Sequence, residues 1–332
     1  MKQPLLQVEG LKKWFSVESD KFIGGKKQYV KAVDSIDFTI KKGETLGLVG
    51  ESGCGKSTAG RALLRLIEAT EGKVLLDGVN LYNLNARELK SLRKDMQIVF
   101  QDPYASLNPR LKVRQIIEEP MTIHTKLSKK EREVKVKQIM SDVGLNEMYL
   151  DRYPHEFSGG QRQRIGIARA LAVEPKLIIM DEPVSALDVS VQAQVLNLIQ
   201  DLQQKYDLTY LFITHNLSVV KHISDNIAVM YLGKIVEYGN KKMFFEKPLH
   251  PYSQALISAI PETNRNLRRE RILLKGDIPS PMNPPEGCRF HTRCPFAMSI
   301  CKTQEPQFLE IEENHFAACH LYTEGVKSDE KI

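Results

Sequence analysis

Apolar residues along this chain recur at two spacings, and their alternation predicts the fold class. The run Glu44–Gly50 reads as a buried strand, and Gly55–Ala69 then carries Ala62, Leu63, Leu66 and Ile67 at helical spacing. Before it, Leu5–Ile40 reads as short strands around an exposed excursion in Val17–Tyr29. After it, Gly72–Leu81 returns as a strand with an Asp77-Gly78 turn. Leu107–Leu150 is helical and charged, led by Leu111, Val113, Ile116 and Ile117. Strands return at Lys176–Glu182 and Thr209–His215, and Asn226–Gly239 has the pattern of a hairpin. Val191, Val195, Leu198 and Leu202 mark one helix face among them. Strands alternating with helices imply an α/β fold with a mostly parallel, doubly wound sheet. Composition shifts near Lys247, so a domain over 1–247 and a small appended one over 248–332 are expected.

Bulk properties narrow the classes. The 332 residues are 42% hydrophobic and 27% charged, an ordinary globular balance. No apolar run approaches the roughly 20 residues that cross a bilayer, and the first ten residues lack a signal-peptide core. A cytoplasmic chain is expected, reaching a membrane only through a partner. The net charge of +6 is mild and does not decide among nucleic acid, nucleotide and acidic headgroups. The densest basic run, Lys126–Lys137, mixes signs as a solvated helix face does.

The chemistry enters with Gly50-Glu51-Ser52-Gly53-Cys54-Gly55-Lys56-Ser57-Thr58, a G-x-x-x-x-G-K-S phosphate loop between a buried strand and a helix. Its glycines let backbone N–H groups surround phosphates, Lys56 reaches the β- and γ-phosphates, and the Ser57 hydroxyl ligates Mg2+. Asp181 and Glu182 end an apolar strand, where ligands lie in α/β sheets. Asp181 suits Mg2+, and Glu182 suits polarising a water. Taken alone the two acids read equally well as helix caps, and the phosphate loop tips the balance. Gln101 and His215 each end an apolar run and suit sensing a γ-phosphate. Ser158-Gly159-Gly160-Gln161 opens a second helix start that binds an anion.

That order of motifs resembles the ATP-binding-cassette ATPases over Leu5 to about Lys247. "GESGCGKST" resembles the Walker A loop, "VFQD" the Q-loop, "FSGGQ" the signature, "LIIMDE" the Walker B strand, "SALD" (Ser185–Asp188) the D-loop, and His215 the switch histidine. Phe157 replaces the usual Leu ahead of the signature. The resemblance implies a P-loop NTPase (RecA-like) core, an N-terminal antiparallel β part and an inserted helical subdomain over about 103–172. It further implies Trp14 against adenine, with Phe15 or Tyr29 as alternatives, and two cassettes facing head to tail. Ser158 and Gly160 of one subunit then close on the γ-phosphate of ATP bound to the other.

"QDPYASLNPR", "HPYSQALISAIP" and the cysteine-rich tail resemble, more narrowly, the ATP-binding subunits of oligopeptide/dipeptide importers, a pattern that nickel importers share. The implied partners are two polytopic permease subunits, a second cassette ATPase (a paralogue, or an identical copy in isolation) and, indirectly, an extracytoplasmic peptide-binding protein. No nucleic acid is expected, and the place of work is the cytoplasmic face of the cell membrane, held peripherally. Tyr104, Leu107, Asn108 and Pro109 are candidates for the permease contact.

The tail spaces Cys288, Cys294, Cys301 and Cys319 as C-x5-C-x6-C-x17-C, which fits four-thiolate ligation and lacks the C-x2-C knuckles of zinc sites. The importer resemblance implies a structural [4Fe–4S] cluster on these four, with Zn2+ or unligated thiols as alternatives. A metal-binding extension is therefore expected. His291, His315 and His320 read as surface residues, and Cys54 as loop filler. The rival class, a soluble cassette ATPase acting on DNA or ribosomes, also carries metal-bound cysteines. In that class they interrupt or precede the cassette, whereas here they follow a single one.

Overall fold

The computed structural model describes residues 3–17, 28–260 and 270–323. The excursion expected in Val17–Tyr29 and the basic run following Ile260 fall largely outside them. The N-terminal part carries β1 (Pro4–Val17), β2 (Gln28–Lys41), β3 (Thr45–Val49), α1 (Lys56–Leu63), β4 (Glu71–Leu76), β5 (Val79–Asn80), α2 (Ala86–Leu92) and β6 (Met96–Val99). Then come α3 (Val113–His124), α4 (Lys129–Asp142), α5 (Gly159–Leu171), β7 (Leu177–Asp181), α6 (Val189–Tyr206) and β8 (Thr209–Thr214). The chain closes with α7 (Leu217–Ile223), β9 (Asn226–Tyr231), β10 (Lys234–Asn240), α8 (Lys241–Glu246), α9 (Pro251–Ser258), β11 (Phe308–Glu312) and β12 (His315–Ala318). Among the described residues no helix is long and apolar enough to cross a membrane.

The chain divides into two compact units: Met1–Gln7 with Thr39–Thr45 and Leu75–Thr214, and Val8–Phe38 with Leu46–Val74 and His215–Ile332. In the first, β6, β7 and β8 pair in parallel, with Ile98 opposite Ile179 and Ile179 opposite Leu211. Every residue of β7 and β8 is buried, which explains why both read as unbroken apolar runs. The helical stretch resolves into α3 and α4. Helix α3 buries Val113, Ile116, Ile117 and Met121. Helix α4 buries only Val136, Ile139 and Met140, so its mixed charges do face outward. Its start is fixed by a capping box between Ser128 and Glu131.

In the second unit β3 runs parallel to β9, and β9 turns antiparallel into β10 through Leu232-Gly233, both left-handed (φ 42° and 83°). The sheet then continues through β12 to β11, both antiparallel. Phe316 lies opposite Tyr238, so the tail extends the sheet of the hairpin that precedes it. Strand β1 lies between β2 and β4, and β4 pairs antiparallel with β5 across the Asp77-Gly78 turn. The sheets are thus mixed, less uniformly parallel than the alternation suggests.

The core beneath the phosphate loop is aromatic. Tyr231, Tyr252 and Phe290 meet with ring centroids 4.8, 5.2 and 5.3 Å apart. Val49, Val229 and Phe244 pack into the same cluster, with Cys288 and Cys294 against it.

Candidate nucleotide site

In the second unit the phosphate loop leaves β3 and enters α1. Gly55 has φ 109°, and a Cβ there would lie 1.9 Å from the Ala32 carbonyl oxygen, so only glycine fits. Lys56 is buried inside the curl and donates to the Gly50 and Glu51 carbonyl oxygens, both at 2.8 Å. Its ammonium is thereby aimed by the loop's own backbone. The Cys54 thiol is buried beside Lys56, and burial raises its pKa. It fills the loop, as expected. Ser52 and Gly53 are exposed on the outer curve, while Ser57 and Thr58 open the helix half-buried.

Trp14 is half-buried on β1 and donates its indole N–H to Asp34 at 3.0 Å. Lys31 stands 4.9 Å and Lys12 5.7 Å from the ring centroid, with Tyr29 at 6.3 Å. Phe15 and Tyr29 are the more exposed rings, without an equivalent anchor for Phe15 beyond Lys13 at 4.8 Å. Of the three aromatics weighed, Trp14 is the one held in place by a side-chain hydrogen bond to a carboxylate. His215 follows β8 and opens the last segment of this unit, exposed, just before α7.

In the first unit the structure brings Gln101 and Glu182 together. The Gln101 side-chain amide donates to Glu182 Oε2 at 3.0 Å. Glu182 has φ 49°, a left-handed backbone rare for a non-glycine residue. It is secured by its N–H to Ile213 O (2.9 Å) and by the Ser185 hydroxyl donating to its carbonyl (3.0 Å). Asp181, one residue earlier, is buried. A buried oxygen donor of this kind suits a hard cation.

The signature opens α5 with a capping box. Ser158 Oγ accepts from Gln161 N–H, and Gln161 Oε1 accepts from Ser158 N–H at 3.0 Å. Asp188 precedes α6 without a side-chain cap. The two segments lie side by side: a Cβ on Gly160 would stand 2.4 Å from Val191 Cγ1, and one on Gly159 3.4 Å from Leu187. Phe157 is buried edge-on to Tyr149.

Several expectations need correction. Leu107 is buried and is used inside the fold; Tyr104, Asn108 and Pro109 are exposed. His315 and His320 are buried, not surface residues: His315 pairs with Glu237 at 2.8 Å, and His320 meets the Gln304 carbonyl at 2.9 Å. The metal-binding extension gains no support. Among the described residues no group of three or more His, Cys, Asp or Glu is arranged to hold a metal ion. Burial pushes Cys288 and Cys294 up to about 11 and Cys319 to about 12. The other thiols oppose ionisation further, and backbone N–H groups of Phe290, Phe296 and Leu321 offset it only in part.

The sequence pattern gives no role to Asp34, Glu51, Tyr252, Arg289 or Arg293: Asp34 meets Trp14, Tyr252 and Arg293 meet Glu51 of the phosphate loop, and Arg289 meets Asp34. The Glu51 carboxylate receives both terminal nitrogens of Arg293, at 2.7 and 3.1 Å, across 242 positions of sequence. No local signal carries such a pairing.

Comparison with known proteins gives this arrangement its context. Residues 33–185 match the family described as ABC transporter, and residues 236–301 match the C-terminal region of oligopeptide/dipeptide transporters. The chain is 57% identical to the oligopeptide transport ATP-binding protein AppF of Bacillus subtilis, over 97% of this chain and 98% of AppF. It is 53% identical to the dipeptide transport ATP-binding protein DppF of Haemophilus influenzae, over 95% and 96%. Among solved structures, cbiO1 of Clostridium perfringens, part of the ABC transporter complex cbiONQ, superposes with a TM-score of 0.63 at 28% identity, covering 74% of this chain and 92% of that one. A dimeric post-hydrolysis state of the cassette MJ0796 bound to ADP and Pi superposes equally well at 27% identity, covering 71% and 98%. With the phosphate loop, the signature helix and the Gln101–Glu182 pair in place, the chain belongs to the ABC transporter family, among its oligopeptide/dipeptide transport ATP-binding proteins.

Proposed function

We propose that this chain is the ATP-hydrolysing subunit of a peptide importer. It works from the cytoplasmic face of the membrane, bound to two permease subunits and paired head to tail with a second cassette. The observation that carries the reading is Glu182, held in a left-handed conformation after buried Asp181 with its carboxylate on the Gln101 amide. A carboxylate so positioned, exposed enough to meet water, suits a general base. The near-full-length likeness to oligopeptide and dipeptide transport proteins supports peptide as cargo over nickel, and supports transport over action on DNA or ribosomes. The dimeric cassette structure supports the paired state.

The residues divide the work by their chemistry. Gly50, Ser52, Gly53, Cys54, Gly55 and Thr58 supply the backbone of the phosphate loop, and the Lys56 ammonium meets the β- and γ-phosphates. Ser57 in the second unit, and Asp181 and Gln101 in the first, each carry an oxygen of the kind Mg2+ takes, and that ion would neutralise phosphate charge. Glu182 takes the proton of the attacking water, and His215 steadies the γ-phosphate. Trp14 stacks on adenine. Ser158, Gly159, Gly160, Gln161 and Asp188 face the partner's nucleotide. Nothing here depends on metal in the tail. Iron and zinc analysis of anaerobically purified protein addresses that point directly, an absorbance near about 400 nm reinstating the cluster.

The test is the transporter assembled with its permeases and peptide-binding protein in lipid vesicles. Peptide should stimulate ATP hydrolysis and accumulate inside, and Ni2+ should do neither. Hydrolysis stimulated by Ni2+ alone, or by DNA, would overturn the assignment.

A further inference from the structure

The cysteine segment sends two arginines into the nucleotide-binding elements of its own unit. Arg293, next to Cys294, forks onto Glu51 with bonds of 2.7 and 3.1 Å; its side chain is 8% exposed and that of Glu51 25%. The Glu51 backbone N–H donates at 2.9 Å to the hydroxyl of Tyr252, which is fully buried. Arg289, next to Cys288, meets the Asp34 carboxylate and the Leu232 carbonyl. Asp34 is the residue that accepts the Trp14 indole, and Gly233, beside Leu232, donates its N–H to Cys54 O in the phosphate loop at 2.8 Å. Phe290 lies between the two arginines in sequence and is buried against Tyr231 and Tyr252, so the segment that carries them is anchored in the core.

A carboxylate in a phosphate loop opposes the charge the loop must gather. A fork of two charge-assisted bonds cancels that charge and fixes the carboxylate in one orientation, which a lysine does less well. We propose that Arg293 and Arg289 are positioning residues for the nucleotide, delivered by the C-terminal segment. Arg293 shapes the first turn of the phosphate loop and silences Glu51; Arg289 fixes Asp34 and, through it, the ring of Trp14. The segment that follows the cassette is then a working part of the nucleotide site. The proposal rests on the reading that the phosphate loop and Trp14 bind ATP.

The experiment measures binding of a fluorescent ATP analogue with Mg2+ to the full chain, with tripolyphosphate as a competitor that lacks base and sugar. Arg293→Ala should weaken both ligands by about tenfold, since it leaves Glu51 negative. Adding Glu51→Gln to it should restore most of the loss, and Arg293→Lys should fall between. Arg289→Lys should weaken the analogue, red-shift Trp14 emission and leave tripolyphosphate unchanged. Arg293→Ala or, should that variant fold poorly, Arg293→Lys binding as tightly as wild type would overturn the proposal. So would a loss that Glu51→Gln does not repair, because a merely structural role gives that result. Lys56→Ala separates the two readings: if wild type binds the analogue no better than Lys56→Ala does, it is the nucleotide assignment that fails.

Discussion

The side-chain amide of Gln101 donates a 3.0 Å hydrogen bond to Oε2 of Glu182. The two residues are 81 positions apart, and the bond sets the direction of a carboxylate whose backbone is already confined to φ 49°. Glu182→Gln keeps the shape and removes the base. Hydrolysis by the assembled transporter should fall by roughly a hundredfold to ten-thousandfold, while affinity for ATP is retained. Gln101→Ala leaves the base but frees its orientation, so its effect on kcat should be smaller. Single-turnover hydrolysis beside equilibrium ATP binding measures both. Equal loss of binding in Glu182→Gln would remove it from the base role.

Trp14 is the single tryptophan of the chain, so intrinsic emission reports on one ring. That ring has Lys31 at 4.9 Å and its N–H on Asp34. Stacking on adenine should change its emission on ATP or ADP addition and leave it unchanged with tripolyphosphate. Trp14→Ala should weaken ATP binding by about tenfold, as loss of a stacking platform for one base does. An emission change of the same size with tripolyphosphate would place the base elsewhere.

Ser158 closes a capping box with Gln161, and Gly160 has Val191 where its Cβ would stand. Ser158→Arg puts a bulky cation on the surface assigned to the partner's ATP. The isolated chain should bind ATP as before, yet fail to dimerise with it in size-exclusion chromatography, and hydrolysis should fall at least about a hundredfold. Full hydrolysis by a monomeric Ser158→Arg protein would refute the shared-site reading.

Local chemistry made much of this legible. The run Leu177–Met180 followed by two acids announces a central strand ending at a site, because a strand buried on both faces has no polar alternation. Ser158 and Gln161 announce a helix start because capping works over three residues. The tail was harder to read. Strand β11 is exposed or half-buried throughout and shows no alternation. His315 is fully buried, and its ring partner Glu237, 2.8 Å away, stands 78 positions off in sequence. The fork of Arg293 on Glu51 is likewise a product of topology. Spacing rules also favour a metal for four cysteines so close in sequence, whereas among the described residues no group of three or more His, Cys, Asp or Glu is arranged to hold one.

The same tail region gives the fold a pH dependence that can be worked out. His250 opens α9 and is buried; its Nδ1 accepts from the Tyr252 N–H at 3.1 Å, which requires the neutral ring. Burial pushes its pKa down to about 4, and the Glu237 carboxylate opposes this only in part. The pKa in the unfolded chain is the ordinary 6.5 or so. Between those values the unfolded chain binds a proton that the folded chain refuses, so stability falls as pH drops from about 6.5 toward 4 and levels off below. From pH 7.5 to 5 the loss from this one group is about 2 kcal/mol. His250→Asn keeps an acceptor for the helix start and removes the titration. Denaturant unfolding at the two pH values should show wild type losing about 2 kcal/mol more than His250→Asn. Equal losses in the two proteins would mean that His250 is charged in the folded state, with its cap to Tyr252 broken.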